Sequence, residues 1–291
     1  KISAVFLGRS ECDLSQPEKI REVLNRYQPQ IIINASAYTT VDKAESEPEL
    51  ANAINAIAPQ IMANYVANIS KGSLVHFSTD YVFDGSKDGL YVEGDIRNPL
   101  GIYGKSKAAG EEAIEKVFAN SSNGQFAIFR TSWVYGDGGN FIRTMLRLAK
   151  EREALNVIHD QHGVPTSAEW LVQVSLELAM DSQWRLRQFP SGIYHAVPAG
   201  ETTWHGLAAF SVQTALNAGV VLKAKPEAIK PILAVEYPLP APRPMNSRMA
   251  TTKLRERLHL SGGMSKLSLL DSPWNAYVEQ YVQELVRNGL I

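Results

Sequence analysis

The stretch from Leu74 to Lys107 limits the folds open to this chain more than any other. It opens with Leu74-Val75-His76-Phe77, short enough for a strand and apolar enough to be buried on both faces. Such strands belong to parallel sheets covered by helices on either side. The run ends in Ser78-Thr79-Asp80, two hydroxyls and a carboxylate where the strand should stop. Ligands of open α/β sheets gather outside the carboxyl ends of the strands, so chemistry is expected at this point. A Pro-led helix start follows at Asn98-Pro99-Leu100-Gly101 and runs through Ile102-Tyr103-Gly104-Lys105-Ser106-Lys107 into Ala108–Ile114.

Tyr103 and Lys107 are four residues apart and share one face of that helix. A free phenol titrates near 10, too high for efficient proton exchange at neutral pH, whereas a nearby ammonium favours the phenolate and lowers that value. The pair can therefore do acid catalysis, with Lys107 also able to bond a cofactor ribose and Thr79 able to position a carbonyl. Of the eleven tyrosines, Tyr103 alone is followed by lysine four residues on. The plainer alternative is an exposed helix pair.

The rest of the chain alternates in the same way. Lys1–Leu7 is an apolar strand candidate, followed by a helix with Ser15 as N-cap, Pro17 and Glu18 in its first turn, and Ile20, Val23 and Leu24 on one face. Ile31-Ile32-Ile33 is a buried strand, and strand, helix, strand predicts a right-handed parallel crossover. Helices are expected from Ser46-Pro48 and from Pro59 to about Ile69. A turn at Asn120–Gly124 precedes a strand over Gln125–Thr131. From about Leu155 the pattern is less regular and richer in proline. Gly192–Ala196 reads as a strand, Thr202 or Thr203 caps a helix ending near Gly219, and amphipathic helices lie near Thr251–Leu258 and Asn275–Asn288.

With 291 residues, 45% hydrophobic and 20% charged, the chain can bury a sizeable core as one α/β unit or two unequal lobes. A formal charge of −1 offers no electrostatic footprint for nucleic acid or an anionic membrane. Cys12 is the lone cysteine, which excludes an intrachain disulfide or thiolate cluster. No apolar run approaches membrane-spanning length, and a cytoplasmic protein is the expectation. His159 and His162 stand three apart but in a Gly- and Pro-containing loop, so zinc is not expected.

At three motifs the chain resembles the extended short-chain dehydrogenase/reductases and, within them, the dTDP-4-dehydrorhamnose reductase family. These are Ser78-Thr79-Asp80-Tyr81-Val82-Phe83, Tyr103-Gly104-Lys105-Ser106-Lys107 and Arg130-Thr131-Ser132-Trp133-Val134-Tyr135. The resemblance implies a Rossmann-like, doubly wound parallel sheet over residues 1–150 that binds NAD(P). A smaller, mixed α/β substrate-binding lobe would occupy 151–291, with some segments returning to the first domain. Tyr103, Lys107 and Thr79 would be catalytic, and Thr79, Asp80 and Trp133 would meet the substrate.

A dinucleotide-binding domain normally opens with a glycine-rich turn, yet neither G-x-G-x-x-G nor G-x-x-G-x-x-G occurs among the twenty glycines. The expectation is that roughly two dozen residues carrying that turn precede this sequence, which makes Lys1–Leu7 the second strand of the fold. Arg9, at that strand's end, would accommodate the extra phosphate of NADP and favours NADPH over NADH; a solvated loop arginine is the alternative. Asp13-Leu14 resembles the pair lining the family's adenine pocket. Asn34-Ala35-Ser36-Ala37-Tyr38-Thr39-Thr40-Val41-Asp42 resembles a cofactor loop of the family, with Tyr38 in place of histidine, and implies that Ala37, Tyr38 and Thr39 line the cofactor.

Asp160–Thr166 resembles the family's turn at the lobe interface, and Glu169 matches a glutamate that binds magnesium at a dimer contact in some relatives. Arg243-Pro244-Met245-Asn246-Ser247-Arg248 resembles a sugar-nucleotide segment in which arginine can meet a diphosphate. The implied activity is NAD(P)H-dependent reduction of dTDP-4-dehydro-β-L-rhamnose to dTDP-L-rhamnose by a cytoplasmic homodimer. The rivals are a nucleotide-sugar epimerase or dehydratase of the same superfamily, and a non-catalytic subunit like the methionine adenosyltransferase β-subunit.

Overall fold

The computed structural model describes residues 3–260 and 264–291. Its centre is a parallel sheet of strands β1 (Ile31–Asn34), β2 (Ser73–Thr79), β3 (Gln125–Thr131) and Gly192–His195, side by side in that order among the described residues. β3 is buried at every position and β2 nearly so, which is why both read as continuous apolar runs rather than alternating ones. One face is covered by the helices Pro17–Tyr27, Ala58–Val66 and Ile102–Ala119, through Ile20, Met62, Val66, Leu74, Ile114 and Ile128. On the other face, Val75, Phe129 and Tyr194 meet Trp170 and Val174 of Ala168–Ala179 and Leu254 of Thr252–Leu260. The sheet is doubly wound, as the sequence pattern implies.

A second core lies beside the carboxyl ends of these strands. Helices Phe141–Glu151, Trp204–Asn217 and Trp274–Arg287 bury Ile142, Leu146, Leu207, Val212, Val278 and Val282 against a parallel pair, Leu155–Ile158 with Ile229–Ile232. Thr203 caps the second of these helices, accepting the Gly206 N–H at 3.0 Å. A helix at Met264–Asp271 adds to the two expected near the end of the chain.

Two local expectations fail. Among the described residues Ser3–Leu7 forms no strand, and Phe6 is 92% exposed. An apolar run becomes a strand only when a neighbouring edge takes its backbone groups. Here none does, and the chain instead turns at Gly8, whose carbonyl accepts the Cys12 N–H at 2.9 Å. The first helix is preceded by Gln16 rather than Ser15 as N-cap, because Ser15 turns back to Asp13, with its N–H and hydroxyl 2.9 and 2.7 Å from Asp13 Oδ1.

Candidate active site

Register sets the floor of the site. Ser78 pairs with Arg130 and Thr79 with Thr131, while Arg130 also pairs with His195, so the polar strand ends stand in one row. The helix that carries Tyr103 and Lys107, Ile102–Ala119, lies across them. Gly101, its N-cap, has no side chain to cap with, and Glu45 Oε1 takes the Ile102 N–H instead at 2.8 Å. Glycine is required twice along this helix. A Cβ at Gly104 would stand 2.2 Å from the Tyr81 carbonyl oxygen, and one at Gly110 2.1 Å from that of Asn55. Backbone therefore rests on backbone, and Tyr103 and Lys107 are fixed over the end of β2.

Thr79 and Tyr103 come together as the sequence expects. The Thr79 hydroxyl donates to Asp80 Oδ1 at 2.9 Å, accepts the Tyr81 N–H at 3.2 Å and lies beside the Tyr103 phenol. Burial pushes that phenol up to about 12; the Thr79 hydroxyl opposes the rise and the Asp80 charge adds to it. Lys107 does not lower it. Its Nζ is turned onto β2, donating to the Phe77 carbonyl at 2.6 Å and lying 3.2 Å from His76 Nε2. The ammonium that shares the helix face is thus engaged on the strand, which corrects the expected effect on Tyr103. Burial lowers Lys107 itself to about 8, with Glu111 pulling the other way. Asp80 is buried and pushed up to about 6 by that burial, against the pull of Ser247, Thr79 and backbone amides.

Trp133 sits half-buried beyond β3 with φ +47°, a left-handed conformation that costs a non-glycine residue about 1–2 kcal/mol. Its indole stacks on Trp204, with centroids 3.7 Å apart and planes 16° from parallel, and Gly163 makes room for its edge. One aromatic face is therefore already covered. Ala37, Tyr38 and Thr39 follow β1. The Tyr38 N–H and carbonyl are pinned by Asn55, at 2.8 and 3.0 Å, and its hydroxyl donates to Glu47 at 2.7 Å. Arg9 is exposed, 3.5 Å from Asp13, and Leu14 packs against the core under the sheet.

Glu169 stands exposed in the first turn of its helix, 3.5 Å from the Gln173 side-chain amide. Among the described residues no group of three or more His, Cys, Asp or Glu side chains is gathered to hold a metal ion. The magnesium expectation is not supported, since one exposed carboxylate cannot replace an ion's hydration shell. A dinucleotide fares better at one end: small residues Ala35-Ser36-Ala37 leave the backbone after β1 open. These residues fit the nicotinamide-ribose half. Without a glycine-rich fingerprint in this sequence, no residue is assigned to the pyrophosphate.

The sequence matches the family described as RmlD substrate binding domain over residues 1–284. It is 44% identical over 252 residues to the dTDP-4-dehydrorhamnose reductase of Salmonella typhimurium, spanning 85% of this chain and 80% of that protein. Identity to the Escherichia coli K12 reductase of that name is 42% over 277 residues, with 94% and 85% covered. The chain belongs to the dTDP-4-dehydrorhamnose reductase family. Among solved structures it resembles the dTDP-4-dehydrorhamnose reductase from Bacillus anthracis in complex with NADP, with TM-score 0.78, 31% identity and coverage of 96% and 89%. A Clostridium acetobutylicum protein described by the same name gives 0.80 at 30% identity, with 96% and 89% covered. A Streptomyces venezuelae dTDP-glucose 4,6-dehydratase, 15% identical with TM-score 0.70, shares the fold alone.

Several residues that build this family's site here escape motif reading. His76, read as part of an apolar run, is wholly buried between Lys107 and Asn34, whose Nδ2 lies 3.0 Å from its Nδ1. Asn55 sits in a π-helical turn, Ala53–Ile57, and joins Tyr38 to Ser106 on the helix Ile102–Ala119. Glu111 takes a fork of bonds from Arg130, at 2.9 and 2.6 Å, and a further bond from Arg97 at 2.6 Å. Burial alone would raise the Glu111 carboxyl, but these guanidiniums bring it below its ordinary range. A usable signal existed for this pair: a charge inside the strand Phe126–Thr131 must find a partner.

Proposed function

We propose that this chain reduces the 4-keto group of dTDP-4-dehydro-β-L-rhamnose to give dTDP-L-rhamnose, with NADPH as reductant. The observation that carries the reading is the Tyr103 hydroxyl set beside Thr79 at the carboxyl end of β2, with Lys107 buried one helical turn away. NADPH, when bound, supplies the hydride for the carbonyl carbon. Thr79 orients the carbonyl oxygen, and Tyr103 gives that oxygen its proton. A phenol raised to about 12 is protonated at neutral pH, so it is loaded as a donor, and an alkoxide is a far stronger base than the phenolate left behind. Lys107, turned onto β2 one helical turn away, would meet the cofactor ribose rather than tune that phenol. Asp80, beside Thr79, and the open face of Trp133 would bound the sugar.

Tyr103, Lys107, Ala37, Tyr38 and Thr39 would hold the nicotinamide half, with Arg9, Asp13 and Leu14 toward the adenosine. The exposed Arg9, and the NADP in the B. anthracis relative, favour NADPH over NADH. The cofactor half would occupy residues 1–150 and the substrate lobe mainly 151–291, with Ala168–Ala179, Gly192–His195 and Thr252–Leu260 returning to the sheet. We place the protein in the cytoplasm as a homodimer, with the exposed Glu169 and Val172 of one helix face at the contact. No described helix is long and apolar enough to cross a membrane.

Absorbance at the reduced-nicotinamide band with dTDP-4-dehydro-6-deoxy-sugar tests the reading. One NADPH consumed per sugar reduced is expected. Turnover with no net loss of NADPH would indicate an epimerase or dehydratase, and no turnover a non-catalytic subunit.

A further inference from the structure

The proline-rich segment from Tyr237 to Arg248 contains two arginines, Arg243 and Arg248, either of which could meet a diphosphate, yet the structure ties Arg243 elsewhere. Arg243 grips Asp42 with both ends of its guanidinium, Nη1 to Oδ1 at 2.7 Å and Nη2 to Oδ2 at 2.9 Å. The Ala241 N–H adds a third bond to the same carboxylate at 3.1 Å. Asp42 ends the loop that leaves β1 on the cofactor side. Three residues on, Glu45 caps the helix Ile102–Ala119 through the Ile102 N–H.

The remainder of the strap is stitched to the substrate side. Asn246 donates to the carbonyls of Lys87 and Gly89, both at 2.7 Å, and the Tyr91 N–H donates to the Arg248 carbonyl at 2.9 Å. The Met245 carbonyl takes the His162 N–H at 2.9 Å, and the buried Ser247 lies beside Asp80. Arg243 also lies close to the Tyr81 hydroxyl, and the Tyr81 ring stands edge-on to Tyr103, with centroids 5.4 Å apart at 74°. One unbroken path of contacts thus runs from the cofactor loop through Asp42, Arg243 and Tyr81 to the proton donor. A bidentate fork is what a guanidinium offers and an ammonium does not.

We propose that Arg243 is a positioning residue that couples the two halves of the site, so that an occupied cofactor loop tightens the strap over the sugar nucleotide. This rests on the reading of the site given above. Coupling of this kind is reciprocal: whatever factor NADPH adds to nucleotide affinity, the nucleotide adds to NADPH affinity. Arg243 acts here through Asp42 and Tyr81, not as a ligand of the diphosphate.

The test uses the purified protein and its Asp42→Asn, Arg243→Gln and doubly substituted forms. The dissociation constant of dTDP is measured with and without saturating NADPH, and kcat and KM are measured with the keto-sugar. In the unsubstituted protein NADPH should tighten dTDP binding by about 5- to 50-fold, an ordinary coupling. Either single substitution should bring that factor close to one, lower kcat about tenfold and leave melting within a few degrees, with the double form no worse than either single. If Arg243 instead binds the diphosphate, Asp42→Asn frees it and tightens dTDP binding without NADPH, which overturns the proposal. So does a coupling factor that survives Asp42→Asn, or one absent from the unsubstituted protein. Should the protein couple dTDP to NADPH and yet fail to turn over the keto-sugar, the functional reading fails while the coupling stands.

Discussion

The floor and the roof of this site are built by different means. On the floor, the helix Ile102–Ala119 meets Tyr81 and Asn55 through glycines that leave no room for a Cβ, and Lys107, Glu111 and Arg130 are buried to 1% exposure or less. The roof is the strap and the Trp133–Trp204 stack, held in part by groups open to solvent, as at Asp42–Arg243 and the two indoles, and in part by the buried Asn246 and Ser247. On the floor, geometry and stability are the same thing, because a displaced group strands a buried charge or drives backbone into backbone. Chemistry that tolerates little misplacement belongs on the first, and a substrate that must enter and leave belongs under the second.

The largest effect expected is on the floor, at the buried ion pair. Glu111→Ala leaves Arg130, 1% exposed, without its carboxylate, and a stranded buried charge costs about 3–5 kcal/mol. Chemical denaturation should show that loss. A Glu111→Leu, Arg130→Met double substitution should recover most of it, because removing both charges removes the desolvation cost. A double substitution as unstable as the single would mean that the fork supplies more than mutual neutralisation.

Tyr103→Phe separates chemistry from structure on the same floor. Only a hydroxyl is lost, so the melting temperature should hold while kcat falls by ~10²–10⁴, the usual contribution of a general acid. Turnover within a few-fold of the unsubstituted protein would remove Tyr103 from the mechanism.

How much of this could be read from the sequence follows the same division. The strand ends, the Tyr103–Lys107 face and the doubly wound sheet were legible because periodicity and spacing are local properties. The partners of the floor were not. His76 lies 31 residues from Lys107 and Asn55 51 from Ser106, and nothing local announces either contact. Asp42 and Arg243 are 201 residues apart, so even a correct motif assignment left that arginine free to be given to a diphosphate. Lys1–Leu7 shows the converse: its apolar pattern suits a strand, but a ladder also needs a partner edge. Trp133 was placed correctly past β3, while the Trp204 covering one of its faces came from the distant helix Trp204–Asn217.

Asp80 lies where floor meets roof, between Thr79 and Ser247, and its charge should be visible in the pH dependence of stability. Its carboxyl holds a proton to about pH 6 in the fold, against an ordinary value of 3.8. Between those values the folded state binds more protons than the unfolded state, so stability is fully present at the acid end and falls as pH rises through about 6. The loss is on the order of 3 kcal/mol at most, and smaller if the fold relaxes around the charge. Asp80→Asn should flatten the curve across that window relative to the unsubstituted protein. Two curves parallel from pH 4 to pH 7 would mean that Asp80 is ionised throughout.

The smallest effect belongs to the roof and tests whether the tryptophan stack serves the substrate. Trp204→Leu keeps an apolar side chain next to Phe141 but removes the flat platform under Trp133. Aromatic pairs are worth about 0.5–1.5 kcal/mol beyond the area they bury, so KM for the sugar nucleotide should rise by about 2- to 12-fold. Cofactor affinity and kcat should hardly change, because Trp204 has no contact with Thr79, Tyr103 or Lys107 among the described residues. The left-handed backbone at Trp133 sharpens the outcome. Stacking is what holds that conformation against its strain, so without the platform the indole should swing and the loop after β3 relax. If KM is unchanged while the melting temperature drops by several degrees, the stack is part of the second core and the sugar lies elsewhere. If KM rises with little change in melting, Trp133 faces the substrate with the side that Trp204 leaves open.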